Sequence, residues 1–364
     1  MKLLIAAIAL MSMFVGESFA ADDDIQISRV FGREHPGGRY KHPSSFTQLE
    51  NGDLYLVFYG GGGEYATDTA VRGARLKKGE TEWSEPEVIA DTPDRSEGNG
   101  VVWQAPDGVV WLFFLTRYGE TWSTSRIKAK ISKDGAKTWS DPFVLAFEEG
   151  MMIRAHPIVL NDGDYLLPIY HETGHDTEMV GPDSTSLFLR FNPRKPVWKK
   201  SNPWTETNRI RSRIGNIQPA AVQIDDNYLI SYSRRGGGYE GRKDGFLVRS
   251  ESHDGGRTWS MGEDSPFPNP NAAGDFIKLR NGHLLLVYND SFSGRSPLTA
   301  AISTDNDKTY PYKRNIKEGR GSFAYPTAVQ AHDGMIHVVF SSHGRTQINH
   351  AAFDESWVLS SKNE

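Results

Sequence analysis

Short apolar runs separated by tight polar turns recur along the whole chain. Each turn combines Asp or Asn with Gly or Asn, and an apolar run of strand length follows it. The central residues of these turns are Gly52, Gly108, Gly163, Asn227, Gly282 and Gly334. Asn-Gly and Asp-Gly pairs tolerate positive φ, and between apolar runs they are the strongest short signal of a β-hairpin. The intervals of about 50–65 residues fit four short strands with their loops, so the pattern predicts six repeated β units.

A second motif follows the same period. Residues 252–259 read S-x-D-x-G-x-T-W, residues 132–139 differ at one glycine position, and residues 303–310 keep Ser, Asp and Thr with Tyr in place of Trp. Only the aromatic residue remains at Trp83 and Trp198. The Asp accepts N–H bonds from its own turn, the Gly permits positive φ, and the Trp buries a large apolar surface. A single β unit cannot bury both of its faces, so the copies are expected to stack in a ring.

The chain resembles the sialidase superfamily, also known for its Asp-box or BNR repeats. The resemblance rests on the S-x-D-x-G-x-T-W turns, the sixfold period and the segment around Tyr325, and it covers roughly residues 25–358. It implies an all-β fold, a six-bladed β-propeller. Because Asp-box turns lie away from the active-site face in that superfamily, the motif indicates the fold and not the activity. One propeller blade usually takes strands from both termini, so we expect the strand-like runs 25–30 and 348–353 to meet.

Composition indicates where such a protein works. The 364 residues include 41 basic and 46 acidic ones, with a net charge of −5, so nucleic-acid binding is not expected. Residues 1–20 combine Lys2, an apolar run and a small-x-small end at Ala20, which predicts a cleaved signal peptide. Cys is absent, which suits an exported bacterial protein, periplasmic or secreted. We expect residues 21–364 to form a single propeller domain with no membrane span after cleavage.

Polar residues stand where the inner strand of each predicted blade begins, roughly seven to ten residues before its turn. They are His42, Asn99, His156, Gln218, Asp275 and Tyr325. The starts of the six inner strands converge on one mouth of the axial channel, so we expect these side chains to form one polar ring. Such a ring is typical of a binding site, although each member could instead link neighbouring blades.

The resemblance also implies roles for particular residues. The segment Ala-Tyr-Pro-Thr-Ala-Val around Tyr325 is similar to the one that carries the family's tyrosine nucleophile. Arg234 and Arg295 resemble the second and third arginines of the family's triad, and Asp68 falls near its acid/base aspartate. Arginine suits this role because its fork pairs bidentately with a planar carboxylate.

Two departures from the family pattern concern the chemistry. The family's first arginine lies in an Arg-Ile-Pro motif, and the matching stretch here is Lys41-His42-Pro43. The family's tyrosine is activated by a glutamate, and the matching position holds Gln218. A phenol has an unperturbed pKa of about 10 and needs a nearby base to attack at neutral pH, and an amide cannot be that base. The candidate catalytic residues are Tyr325, Asp68, His42, His156 and Gln218, and the candidate substrate-binding residues are Arg234, Arg295, Lys41, Asn99 and Asp275.

Three functions remain open at this point. The first is a sialidase-like exo-glycosidase that releases a terminal acidic sugar with retention, through a covalent tyrosyl intermediate. The second is a polysaccharide lyase or rhamnosidase-type enzyme on uronic-acid glycans, in which a carboxylate clamp acidifies the C5 proton and a His or Tyr removes it. The third is a glycan-binding propeller without activity. The expected partner in each case is a glycan that contains an acidic sugar.

Weaker signals add little to these functions. No cofactor or metal is expected, although His171, Glu172 and His175 lie close enough in sequence to suggest metal ligands. The aromatic residues Tyr118, Trp122 and Tyr239 are candidates for stacking on sugar rings.

Overall fold

Six antiparallel sheets of four or five strands make up the fold. The computed structural model describes residues 25–175, 179–194 and 204–361. Strand β1 (Ile25–Phe31) is first in the chain and belongs to the last sheet. Blade I contains β2 (Tyr40–Gln48), β3 (Leu54–Gly61), β4 (Ala70–Leu76) and β5 (Glu87–Ala90), and blade II contains β6 (Ser96–Gln104), β7 (Val110–Arg117), β8 (Ser125–Ser132) and β9 (Phe143–Ala146).

The other four blades follow in chain order. Blade III contains β10 (Met151–Ile153), β11 (Ile158–Val159), β12 (Tyr165–His171), β13 (Thr185–Phe191) and β14 (Thr205–Glu206). Blade IV contains β15 (Asn216–Gln223), β16 (Leu229–Arg235), β17 (Phe246–Ser252) and β18 (Glu263–Pro268). Blade V contains β19 (Asp275–Lys278), β20 (Leu284–Tyr288), β21 (Leu298–Ser303) and β22 (Tyr312–Lys317). Blade VI contains β23 (Ala324–Gln330), β24 (Ile336–Ser342), β25 (Gln347–Phe353) and β1.

The two ends of the described chain meet in blade VI. Strand β1 pairs antiparallel with β25, and Ile25 lies opposite Phe353. The first strands of neighbouring blades contact each other, except between blades III and IV, where β12 contacts β15, and these contacts place the inner strands around the axis. The predicted six-bladed β-propeller and the pairing of the terminal strands are confirmed.

Apolar side chains fill the spaces between blades. Six clusters of buried residues each lie between two adjacent blades, for example Val57 and Val71 of blade I with Leu112 and Phe114 of blade II. Each blade therefore buries both faces, and all eight residues of β3 are buried. This is the physical reason that the repeats must form a ring, because one blade alone would expose an apolar face.

One end of the ring, called the turn face here, carries both sets of turns predicted from the sequence. In blade III, β10 and β11 both pair with β12 and together take the place of the first strand. With that convention, the six Gly or Asn turns join the first and second strands of each blade, and the Asp-box turns join the third and fourth. In one box Asp254 accepts hydrogen bonds from the backbone N–H of Thr258 (2.9 Å) and from its hydroxyl (2.6 Å). Burial alone would raise the pKa of Asp254, but the bonds from Thr258 and Ser252 outweigh it and lower the pKa to about 2. Trp259 of this box stacks on Phe188 of blade III, with ring centroids 4.3 Å apart.

Glutamine side chains join the turns of neighbouring blades on the turn face. In four blades a glutamine precedes the turn, and these residues are Gln48, Gln104, Gln223 and Gln330. Gln48 Nε2 donates to Gly52 O of its own turn (3.3 Å), while its Oε1 accepts from His332 N of blade VI (2.6 Å). The other three make equivalent pairs of bonds to their own turn and to an adjacent blade. These bonds hold the blades in register around the axis.

A short helix α1 (Glu355–Leu359) follows the last strand, with Asp354 as its N-cap and Trp357 buried. No helix in the described part of the chain has the length and hydrophobicity needed to cross a lipid bilayer. The predicted signal peptide and the predicted aromatic anchor Trp198 lie outside the described residues.

Candidate active site

The inner strands carry a shared irregularity at the end of the ring opposite the turn face. In blades I, II, IV and VI the pairing of the first two strands shifts register, and the residues at the shift include His42, Asn99, Gln218 and Tyr325. Asn99, Gln218 and Tyr325 have φ of 35°, 57° and 56°, which is uncommon for residues other than glycine. Such backbone strain persists where the surrounding structure enforces it, and it is concentrated at functional sites. We call this end of the channel the tyrosine mouth.

The phenol of Tyr325 is the centre of this mouth. Its oxygen accepts a hydrogen bond from Arg234 Nη1 at 2.7 Å and a longer one from Gln218 Nε2 at 3.5 Å. Gln218 Oε1 in turn accepts from Arg234 Nη1 at 3.2 Å. Tyr325 is 7% exposed, and Arg234 and Gln218 are 3% and 4% exposed. The amide thus donates to the phenol oxygen, and it has no capacity to take a proton from it.

Two further arginines approach Tyr325 from loops. The guanidinium of Arg295 lies over the tyrosine ring, 5.3 Å from its centroid. Asn271 positions both this arginine and Arg234, because its carbonyl accepts from Arg295 Nη2 (3.2 Å) and its Oδ1 accepts from Arg234 Nε (2.6 Å). Arg345 comes from the β24–β25 hairpin, where its φ is 65°, and it forms an ion pair with Glu64.

The arginines change the chemistry of the phenol. Burial alone would raise the pKa of Tyr325, but the charges of Arg234, Arg295 and Arg345 outweigh it and lower the pKa below its ordinary value. The hydrogen bond from Gln218 acts in the same direction. The phenolate form is therefore favoured by fixed positive charge and not by a proton-accepting base.

His42 packs against the same tyrosine. Its ring meets the Tyr325 ring edge-on with centroids 4.3 Å apart, and its Nδ1 shares a hydrogen bond of 2.9 Å with Ser341 Oγ. Burial, with the charges of Arg345 and the other nearby arginines, holds the pKa of His42 well below its ordinary value. The imidazole is therefore neutral near pH 7.

Two carboxylates face the mouth, and neither was among the candidates for catalysis from sequence. Glu64 forms the ion pair with Arg345 and accepts a hydrogen bond from Trp122 Nε1 at 3.3 Å. Glu172 follows β12, and burial raises its pKa to about 7. The cleft at the tyrosine mouth is lined by Tyr59, Glu64, Asn99, Trp122, Met152, Tyr170, Glu172, Met179, Val180, Ile217, Gln218, Arg234, Tyr239 and Tyr325.

Two predicted site residues of blade I point away from this cleft. Lys41 is fully buried, but its Nζ donates to the backbone carbonyls of His35 and Gly38, so the ammonium is satisfied within a loop. Asp68 is exposed, and both carboxylate oxygens accept from Gly62 N of the same loop, at 3.0 and 3.2 Å. Neither residue lines the cleft. Of the Lys-His-Pro stretch, it is His42 that meets Tyr325.

His156 and Asp275 were predicted in the ring but lie nearer the turn face, where they line a separate cavity of the channel. Both side chains are used in contacts between blades: His156 Nε2 bonds to Ser45 Oγ (3.1 Å), and Asp275 Oδ2 accepts from Ala328 N (2.7 Å). Burial, together with Arg154, lowers the pKa of His156 to about 4, whereas burial raises that of Asp275 to about 6.

The ring position of blade III is occupied by Arg154. Arg154 stands six residues before the first turn residue Leu160, as Tyr325 does before Ala331. Its Nη2 donates to the carbonyls of Tyr325 (2.7 Å) and Pro326 (2.9 Å) beneath the tyrosine ring. The residue at the corresponding position of blade V is Ala273. The sequence criterion, a polar residue roughly seven to ten positions before the turn, was too coarse. It could not separate residues at the tyrosine mouth from residues that lie nearer the turn face.

The residues that sequence analysis missed share a topological position. Each second strand ends at the tyrosine mouth, so the loops after the second strands surround it: those of blades I to IV line the cleft, and those of blades V and VI bring Arg295 and Arg345 close to Tyr325. These loops supply Glu64, Trp122, Glu172, Tyr239, Arg295 and Arg345. Trp122 and Tyr239 are two of the three aromatic residues proposed for sugar stacking, whereas Tyr118 does not line the cleft. A search of these loops for charged residues would have found Glu172 and Arg345.

The suggested metal cluster does not form around His171. Its Nε2 bonds to Glu149 O (3.0 Å) and its Nδ1 to Arg209 Nη1 (2.9 Å). In the described parts of the chain, no group of three or more His, Asp or Glu side chains has a geometry that could hold a metal ion.

Comparison with known proteins identifies the fold and the family. A family model described as a BNR repeat-like domain matches residues 52–338. No curated protein matches the chain by sequence. Among solved structures, the Hadza microbial sialidase Hz136 has a TM-score of 0.71 and 15% identity, over 88% of this chain and 66% of that one. The intramolecular trans-sialidase from Ruminococcus gnavus has a TM-score of 0.71 and 13% identity, over 93% of this chain and 98% of that one.

A third structure shows that other chemistry uses a similar scaffold. The α-L-arabinanase from Penicillium chrysogenum, solved with arabinobiose, has a TM-score of 0.66 and 15% identity, over 91% of this chain and 98% of that one. Likeness at such identities concerns the fold, which hosts more than one activity. The family model covers most of the chain and the six blades are present, so this protein belongs to the BNR repeat-like domain family and has the six-bladed fold of the sialidases.

Proposed function

We propose that this protein is an exo-glycosidase of the sialidase type that removes a terminal carboxylated sugar from a glycan. The observation that carries the proposal is the grouping of Arg234, Arg295 and Arg345 around the phenol of Tyr325. Guanidinium groups bind carboxylates through parallel charge-assisted hydrogen bonds, so this grouping suits an acidic sugar held beside a nucleophile. The similarity in fold to two sialidases supports the proposal without deciding the substrate.

The arginines have two roles in the proposed reaction. They bind the carboxylate of the sugar, and their charge stabilises the ionised phenol of Tyr325, which Gln218 also supports by donating a hydrogen bond. The phenolate oxygen attacks the anomeric carbon as the bond to the leaving oxygen breaks. Water then displaces the tyrosyl oxygen, so the released sugar keeps its anomeric configuration. A glutamate base is not required if the pKa of the phenol is already lowered.

A matched pair of substrates tests this proposal. The purified protein is incubated with an aryl α-sialoside and with an uncharged aryl arabinoside that carries the same aryl group. We expect release from the acidic sugar only, with the product of retained configuration identified by proton NMR. Release from the neutral sugar alone, or binding of the acidic sugar without any release, would contradict an exo-glycosidase of this type.

A uronate lyase is the second candidate, because one observation favours it. His42 is a neutral imidazole in contact with Tyr325, and the position of the family's glutamate base holds Gln218. In a lyase the arginines would bind the uronate carboxylate, His42 would take the C5 proton, and the electron pair would form the C4–C5 double bond as the C4–O bond breaks. The proton for the leaving oxygen would come from the protonated form of Tyr325, because a lowered pKa makes that phenol a stronger acid.

The product and one variant separate the two candidates. A lyase gives an unsaturated uronate that absorbs in the ultraviolet, whereas a hydrolase gives reducing sugar without that absorbance. His42→Ala should lower lyase activity by ~10²–10⁴-fold, because it removes the base. For the hydrolase, we expect a loss within roughly tenfold, since His42 only packs against the nucleophile.

We also propose that the protein is exported, as residues 1–20 suggest. Expression with these residues should give mature protein in the periplasm or the medium. N-terminal sequencing of that material should begin at Ala21, and a sequence that begins at Met1 would contradict cleavage.

A further inference from the structure

A glycosidase of the proposed type needs a proton donor, and the residue indicated by family resemblance is badly placed. Cleavage of an unactivated glycosidic bond requires a proton on the leaving oxygen, and hydrolysis of the intermediate requires a base for the incoming water. The carboxylate of Asp68 is turned back to Gly62 N of its own loop and does not line the cleft. The role is therefore open in this chain.

Glu64 lies in the cleft, but its oxygens are already occupied. Its Oε2 forms the ion pair with Arg345, and its Oε1 accepts from Trp122 Nε1. This arrangement fixes Arg345 next to Tyr325, which is a positioning role. A proton donor must instead present a free carboxyl to the substrate.

Glu172 meets this geometric requirement. It lines the cleft together with Tyr325, Gln218 and Arg234, and in the parts of the chain that the structure describes no hydrogen bond to its carboxyl group is formed. Its backbone is fixed, because Glu172 N donates to Gly150 O at 2.9 Å. Gly150 permits this approach: a Cβ at that position would lie 2.4 Å from Glu172 O, and the φ of Gly150 is +82°.

The surroundings keep the carboxyl group near the midpoint of its titration at neutral pH. Burial is the largest cause of the raised pKa of about 7, Glu64 raises it further, and Arg234 opposes both. The titratable and charged groups that line the same cleft are Tyr59, Glu64, Tyr170, Arg234, Tyr239 and Tyr325. A carboxyl group of this kind gives and takes a proton with similar ease.

We propose that Glu172 is the general acid and base of this active site, in the role that family resemblance would give to Asp68. The inference rests on the proposed glycosidase function. In the first step the Tyr325 oxygen bonds to the anomeric carbon, the electron pair of the broken C–O bond passes to the leaving oxygen, and that oxygen takes the proton of Glu172. In the second step water bonds to the same carbon, the pair of the tyrosyl C–O bond returns to Tyr325, and the carboxylate of Glu172 takes the proton of the water.

The test compares leaving groups. The variant Glu172→Gln keeps the shape of the side chain but has no proton to give. On a sialyl oligosaccharide, whose leaving alcohol needs protonation, we expect kcat/KM to fall by ~10²–10⁴-fold. On an aryl sialoside with a nitrophenol leaving group, which departs without help, the first step should be nearly unaffected and the burst of nitrophenol should remain. The variant Asp68→Asn should behave like the wild type on both substrates.

Each outcome has a distinct meaning. An equal loss on both substrates, or a loss that depends on the leaving group in Asp68→Asn, would overturn the assignment of Glu172. If wild-type protein releases no sugar from either substrate, the proposed function fails first, and the assignment fails with it. Glu172→Asp is the second variant in case Glu172→Gln does not fold. It keeps a carboxyl group, so kcat/KM should still fall above about pH 7 as that group loses its proton. A pH profile without that fall would also contradict the proposal.

Discussion

The two ends of the ring differ in how they surround carboxyl groups. On the turn face, the Asp-box residues Asp134, Asp254 and Asp305 accept several hydrogen bonds each, and these bonds lower their pKa values. Towards the tyrosine mouth, Glu97 is buried and Glu172 is half-buried, both with few such bonds, and loss of solvation raises both pKa values to about 7. A carboxylate surrounded by donors stabilises the fold, whereas one deprived of water and donors is costly and is expected where chemistry requires it.

Cations show the same contrast. At the tyrosine mouth Arg234, Arg295 and Arg345 are gathered around one phenol, so like charges are held close together. On the turn face, arginines are instead paired with carboxylates, as Arg75 is with Asp53 and Arg190 with Asp164, and neutral glutamines also join the blades. The structure thus separates an end of the ring held together by its turns from an end that gathers positive charge around one phenol, and four substitutions can test this division.

The largest effect is expected from Tyr325→Phe. The change removes one oxygen at the centre of the tyrosine mouth, and with it the proposed nucleophile. We expect kcat/KM on acidic glycosides to fall by roughly 10³-fold or more. The melting temperature should change little, because the ring still packs against His42. Activity within tenfold of the wild type would show that the reaction occurs elsewhere.

Arg345→Lys should have the next largest effect. Lysine keeps the charge but loses the planar fork, so we expect kcat/KM to fall by about 10–100-fold, equivalent to one charge-assisted hydrogen bond. Lys41→Met is the matched control: Lys41 carries a charge near the same loops, but its ammonium binds backbone carbonyls. The control should lower the melting temperature while the folded enzyme keeps its kcat/KM. A larger catalytic loss in the control than in Arg345→Lys would restore Lys41 to the site.

Glu97→Gln tests the cost of a buried carboxyl. Burial raises the pKa of Glu97 to about 7, opposed by bonds from Thr116 and Thr92 and by Lys128, while Asp91 adds to the rise. Between its unfolded pKa and pH 7, the folded state binds more protons than the unfolded state, so stability decreases as the pH rises through this window. At about 1.4 kcal/mol per pKa unit, we expect Glu97 to account for a decrease of about 2 kcal/mol between pH 5 and 7.5. Urea denaturation should show a weaker pH dependence in the variant, and an unchanged dependence would contradict the raised pKa.

The smallest effect is expected from Gln48→Ala on the turn face. The change removes the bonds to Gly52 O and from His332 N, which we expect to cost about 1 kcal/mol of unfolding free energy. The equivalent change Gln104→Ala between blades I and II should cost a similar amount. Catalytic activity should be unaffected in both variants, and a loss of kcat/KM in either one would show that the two ends of the channel are coupled.

Sequence was sufficient for the fold because the signals are local. Each turn motif contains its own hydrogen-bond donors and acceptors, as Asp254 and Thr258 show, so it can be recognised without knowledge of the rest of the chain. The Gly or Asn turns, which occur six times along the chain, then gave the number of blades. The positions of Tyr325, Gln218 and Arg234 at the tyrosine mouth were predictable for a related reason, since each lies at a regular distance from a turn or on an inner or second strand.

The rest of the site depends on where long side chains point. Lys41 faces carbonyls of a loop that the sequence does not specify, and Asp68 is held by Gly62 N of its own loop. Glu172 and Arg345 come from loops that differ between blades and carry no repeated motif, so no periodicity could identify them. His156 lies only two residues beyond Arg154, yet that displacement moves it along the channel to contact Ser45.

The pairing of β1 with β25 has a consequence for biosynthesis. A ribosome makes Ile25 early, but its partner Phe353 emerges more than 300 residues later. During that time β1 has no neighbour in its sheet, and blade I lacks the surface of blade VI against which it packs. Contacts so distant in sequence form slowly, and unpaired strands invite association between nascent chains. The ring can close only as a final event, so truncation before β25 should give aggregated protein even though five blades have been made.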